Sequence, residues 1–128
     1  MASQNNPGRQ FDKTHATTVV AQADIAAYRF VTYEGKQATD TTVAAKNYVQ
    51  GISEEAAKSG EALSVVTAYS YLVEASANNI ALGDYLKPDA NGKAVVGDAT
   101  HHCARALGTT SASGDLVEVQ ILAHVNAA

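Results

Sequence analysis

The sequence predicts an all-β protein, a small β-barrel or β-sandwich of short strands. Three observations predict it. Residues 63–73 and 116–125 alternate apolar and polar side chains with the two-residue period of a half-buried strand. Turn-forming residues recur about every ten positions, the spacing of strands in small sandwiches and barrels. No stretch holds the 3.6-residue period over the length of an ordinary helix.

The elements follow in order. Residues 1–15 are polar, contain Pro7-Gly8 and show no period, so they read as an N-terminal arm, either frayed or ordered by a partner. A single domain is expected over residues 16–128. The β-branched run Thr17-Thr18-Val19-Val20 opens it, followed by the aromatic and β-branched YRFVTY of residues 28–33, which ends at Gly35. Over residues 39–51 Asp40 could cap a short helix, but residues 48–52 read better as a strand. SEEAAKSG, residues 53–60, has the pattern of one helical turn: Ser53 as cap, Glu54 and Glu55 at the positive end, Lys58 at the other and Gly60 as stop. At most that turn is expected to be helical.

Leu63, Val65, Thr67, Tyr69, Tyr71 and Val73 then share one face of a strand, with Val66 and Leu72 as apolar exceptions on the other. SANN, residues 76–79, is a turn cluster. Pro88 and Asn91-Gly92 mark a hairpin between residues 85–86 and 94–96. A short strand is expected over residues 102–107. In the last strand Val117, Val119, Ile121, Ala123 and Val125 face one way, while Leu116 and Leu122 lie among the polar residues of the other side.

The chain has 128 residues, one domain's worth, and 46% hydrophobic residues, of which alanine supplies much. A core of small residues leaves little margin over chain entropy, so burial against neighbours is expected to help. Net charge is −4 and the nine Lys and Arg are scattered. No positive stripe exists to neutralise phosphates, and no amphipathic basic helix to lie on a membrane, so neither nucleic acid nor membrane is an expected partner. The lone cysteine, Cys103, forms no internal disulfide, and MASQNNPGRQ lacks the apolar region of a secretory signal. Synthesis in a cytoplasm is the expectation.

One phrase occurs twice. VQGISEEAAKSGEALSV, from Val49, lies over CARALGTTSASGDLVEV, from Cys103, at a constant offset, and LGDYL, from Leu82, is a shorter echo. Each carries Gly followed by an acid: Gly60-Glu61, Gly114-Asp115 and Gly83-Asp84. The physical reading is a turn in which glycine takes a conformation that a Cβ disfavours, while the acid binds nearby amides or simply keeps the strand entry solvated.

Reactive chemistry finds little support. His101 and Cys103 could converge on one side of a strand, but His15 and His124 stand apart from them, short of the three or four ligands zinc requires. No nucleophile motif is present, and no pair of carboxylates has a reason to share a site. Neither an enzyme nor a cofactor or metal is expected.

The segments YVQGISEEAAKSGEALSVVTAYSYLVEAS, IALGDYLKPDANGKAVV and CARALGTTSASGDLVEVQIL together resemble small tailed-bacteriophage head decoration (capsid cement) proteins of a domain-of-unknown-function family. The resemblance runs from about Thr17 to Val125, and Ala104-Arg105 replaces the glycine usual before the final loop. It implies a β-rich protein on the virion that binds the outside of an assembled head and stabilises it. The major capsid protein is then the partner, with self-association as a dimer or trimer to match lattice symmetry. A small binding module elsewhere on the virion, in a tail or receptor-binding component, is the alternative. Among the residues, Phe11 is the arm's one large apolar anchor. Tyr69 and Tyr71 offer contact area at low entropic cost, unless they fill the core.

Overall fold

The computed structural model describes residues 15–39 and 48–126, and among these it is all-β with nine strands. Phe11 and the rest of the arm, and Asp40 with its helix expectation, lie outside the described residues. The strands are β1 Ala16–Val20, β2 Phe30–Thr32, β3 Val49–Ser53, β4 Ala62–Val66, β5 Ser70–Glu74, β6 Tyr85–Pro88, β7 Ala94–Val96, β8 His101–Ala106 and β9 Leu116–Asn126. They form two antiparallel sheets, β1-β4-β3-β2 and β5-β9-β8-β6-β7.

Two expectations are corrected. Residues 53–59 form no helical turn. Ser53 ends β3, and Ala57 exchanges backbone hydrogen bonds of 2.8 and 2.9 Å with Ile25. A single turn of helix has too few internal bonds to compete with such pairing. The alternating run of residues 63–73 is also two strands in two sheets, not one. The chain turns at residues 67–69, where Tyr69 takes φ 66°, so Leu63 and Val65 enter one core cluster and Val73 another.

The two sheets are copies of one design. In the first, a single row of paired residues crosses four strands as Phe30, Ile52, Val66 and Ala16. In the second, the matching row is Tyr85, Arg105, Gln120 and Ser70. The inward-facing sets also match: Ala21, Ile25, Val31, Leu63 and Val65 correspond to Ala75, Ile80, Leu86, Val117 and Val119, all buried. The repeat glimpsed in residues 49–65 and 103–119 therefore covers nearly the whole described chain. Its offset is not constant, because Gly51 matches Ala104 in register whereas Gly60 matches Gly114.

What the Gly-acid phrase builds is a β-bulge. The Gly60 N–H donates to the Ala21 carbonyl and the Ala21 N–H donates to that of Glu61, so two residues oppose one. Gly114-Asp115 does the same to Ala75, and Gly83-Asp84 to Ala106, with every bond 2.7 to 2.9 Å. The three glycines take φ of 88° to 97°, with open space where a Cβ would stand, so the backbone conformation alone selects glycine. Each acid then accepts the backbone N–H that opens its turn: Lys58 to Glu61 at 2.8 Å, Ala81 to Asp84 at 2.9 Å, Ala112 to Asp115 at 3.1 Å.

A fourth bulge occupies the remaining equivalent place with different residues. The Tyr28 N–H donates to the Ser53 carbonyl, and the Ser53 N–H to that of Arg29. Tyr28 adopts φ 62°, which ordinarily favours glycine. The Ser53 hydroxyl supports the turn by donating to the Ala26 carbonyl at 2.7 Å and accepting the Arg29 N–H at 3.0 Å. This bulge lies at the joint between the repeats. The Glu74 N–H donates to the Tyr28 carbonyl, the Tyr28 ring stacks on Tyr71 at 5.9 Å, and Arg29 pairs with Glu74 at 3.1 Å.

The repeats stack head to tail. Phe30, Val49 and Ile52 leave the outward face of the first sheet and enter the core of the second, beside Val73, Leu86, Val117 and Val119. Burial explains the difference between the matching rows: Phe30 and Ile52 are covered, whereas Arg105 and Gln120 are exposed. The shared core is rich in alanine, as composition foretold, with Ala38, Ala75, Ala94, Ala104 and Ala106 in it.

Partial burial would by itself raise the pKa of Glu74. Hydrogen bonds from Lys93 and Arg29, with their positive charges, outweigh it and hold the carboxyl below the usual range. Asp115 is held low by the N–H groups of Ser111 and Ala112, and Asp98 by the Thr100 hydroxyl and N–H. Carboxylates with lowered folded pKa stabilise fully above their unfolded values, near pH 4, and lose that contribution as pH falls through the folded ones. The thermal midpoint is therefore expected to drop as pH falls below about 4, and less steeply in Glu74→Gln, as read by circular dichroism. A Glu74→Gln profile as steep as that of the unaltered chain would remove Glu74 from this account.

Candidate functional site

The outward face of the second sheet gathers three exposed leucines. Beside the row through Arg105 and Gln120 runs another, Leu72, Glu118 and Leu107: Leu72 pairs with Glu118, and the Leu107 N–H donates 2.8 Å to the Glu118 carbonyl. Leu116, two residues before Glu118 on β9, shares its side of the sheet. All are exposed, Leu72 by 37% and Leu107 and Leu116 by 45% each. At the matching places of the first sheet stand Thr18, Ser64 and Glu54 in one row and Ala62 beside it. Solvent-facing leucines thus occur where the sister repeat has polar or small residues. No ion pair holds Glu118 among the described residues. Arg105 is already engaged: its Nε donates to the Gly83 carbonyl at 3.0 Å and its guanidinium lies 4.6 Å over the Tyr85 ring.

Sequence reading missed Leu107 and passed over the other two. The signal was present, because Leu72 and Leu116 break the alternation of their strands. The aromatic candidates separate. Tyr69 is 62% exposed, just before β5, with its ring edge-on to His15 at 4.0 Å. Tyr71 is half-buried, packed against the core and stacked on Tyr28. Both tyrosines near the joint of the repeats thus have a place, but they do not form one face.

His101 and Cys103 do not share a regular strand. A register shift between His102 and Ala104 breaks the alternation, so His102, Cys103 and Ala104 are all buried. His102 is buried among these. It lies 4.3 Å from the Tyr85 ring, with Nδ1 3.0 Å from the Asp98 carbonyl oxygen. Burial pushes the Cys103 thiol well above its usual pKa, away from the reactive thiolate. Among the described residues no three His, Cys, Asp or Glu side chains cluster as metal ligands would.

Comparison with known proteins bears on the family. No curated protein matches the chain. Among solved structures, the head fiber gp8.5 N base in bacteriophage phi29 superposes with a TM-score of 0.63 at 20% identity, covering 88% of this chain and 98% of that one. At that identity the likeness is one of fold. The family model described as phage cement protein matches residues 10–121. A match over so much of the sequence, on an all-β body of the same fold as a head fiber base, settles the family: this chain belongs to the phage cement proteins, structural proteins of the bacteriophage virion associated with the capsid.

Proposed function

We propose that this protein binds the outer surface of an assembled phage head, with the major capsid protein as its partner, and stabilises the shell. The family match over residues 10–121 carries this reading. The head fiber base supports a place on the head rather than on the tail, since the solved relative is itself a head protein. The stacked repeats support it physically, because a body locked by a shared core can brace neighbouring coat subunits without itself deforming. Self-association as a dimer or trimer belongs to the same proposal, since closed symmetry lets copies sit on lattice axes. Phe11 and the exposed Tyr69 are contact candidates within it, Tyr71 only through its support of the joint.

The test adds purified protein to heads that lack it. Saturable binding, in a copy number fixed by shell symmetry, and a higher rupture temperature are expected. Binding confined to tails, or none at all, would overturn the proposal.

A further inference from the structure

We propose that the outward face of the second sheet, with Glu118 ringed by Leu72, Leu107 and Leu116, docks on the coat protein, against an apolar patch that presents a lysine or arginine to Glu118. This rests on the proposed binding to heads and says which surface does it. The two repeats act as an internal control. Where they differ in burial, sequence follows burial: Phe30 and Ile52 are covered, and their counterparts Tyr85 and Arg105 are more exposed. Leu72, Leu107 and Leu116 run the other way, being exposed and apolar where Thr18, Glu54 and Ala62 stand in the first sheet. Fold maintenance does not account for them, because the first sheet forms without them.

Two features commit the face to a coat protein rather than to a second copy of this chain. A two-fold pairing through the centre of this face would bring Glu118 against its own copy, and like charges in a desolvated contact oppose association. The leucines are also only 37–45% exposed, so their patch is on the order of the few hundred Å² that an ordinary monomer shows. A stable pair buries about 800 Å² per partner. A patch this small suits one part of a contact made by many copies on a lattice, where the coat surface extends beyond it.

Binding to undecorated heads is measured for the unaltered protein and for Glu118→Lys, Glu118→Gln, Leu116→Lys, Ser64→Lys and Ala62→Lys. Glu118→Lys and Leu116→Lys are expected to weaken binding by at least about tenfold. Glu118→Gln is expected to weaken it less and to reduce its salt dependence. Ser64→Lys and Ala62→Lys, at the matching places of the first sheet, are expected to bind within about twofold of the unaltered protein. All the altered side chains lie at or near the surface, and circular dichroism confirms folding. Full binding by both Glu118→Lys and Leu116→Lys overturns the docking face while head binding stands. So does an equal loss in Ser64→Lys and Ala62→Lys. Conversion of a soluble oligomer to monomers by Glu118→Lys, with affinity for heads unchanged, would assign the face to a second copy instead. Failure of the unaltered protein to bind removes the proposed function, and the docking face falls with it.

Discussion

Gly51→Ala is expected to destabilise the protein by at least about 3 kcal/mol, at the upper end of what overpacking costs. Gly51 is buried in β3, where the chain crosses under the end of β4. An added Cβ would overlap the Val66 carbonyl oxygen, and would lie 2.8 Å from the carbon of that carbonyl and 3.0 Å from a Val65 methyl. The first obstacle is backbone, fixed by the pairing of Ile52 with Val66 and of Ser53 with Val65, so no rotamer change relieves it. Either the β3–β4 pairing shifts or Ser53 leaves its bulge. Whole domains hold only about 5–15 kcal/mol, so a loss of this size is easily read by urea denaturation. A change under about 1 kcal/mol would mean that the strands separate freely at this crossing.

Phe30→Ala is expected to cost about 3–5 kcal/mol, the range for a large aromatic removed from a core. Phe30 is 1% exposed and is the largest side chain that the first sheet inserts into the core of the second. Its backbone is held on both sides, with its N–H donating to Gly92 and its carbonyl accepting from Ala38. The surroundings therefore cannot easily collapse into the space it leaves. Because the residue joins two repeats, its loss should also loosen their coupling. In denaturant, fluorescence and circular dichroism transitions that coincide in the unaltered protein are expected to separate in the variant. A loss near that of a surface substitution would show that the repeats do not depend on a shared core.

Much of the fold was legible because its signals are local. The strand over residues 116–125 and the hairpin around Asn91-Gly92 follow from side-chain alternation and turn chemistry that neighbours in sequence decide. The Gly-acid phrase was legible as a turn for the same reason, and of the two roles open to its acids the structure selects the acceptance of amide hydrogens. Legibility failed where one local pattern fits two structures. Residues 53–59 have the caps of a helical turn, yet Ile25, distant in sequence, supplies Ala57 with backbone bonds that a lone turn lacks. Residues 63–73 alternate except at Val66 and Leu72, yet the left-handed Tyr69 breaks them between two sheets. The fourth bulge was invisible, since Tyr28, Arg29 and Ser53 share no residue type with Gly-acid and alanine.

For the candidate site, the sequence by itself determined that Leu72 and Leu116 violate the pattern of their strands, and that the chain has the marks of the cement proteins. Only the tertiary structure decided that these leucines lie together with Leu107 around Glu118, on a face the partner repeat does not cover. The physical reason is that alternation tells which residues share a side of a strand, but not what lies against that side. Burial is settled by elements far apart in the chain, and here by the way one repeat stacks on the next.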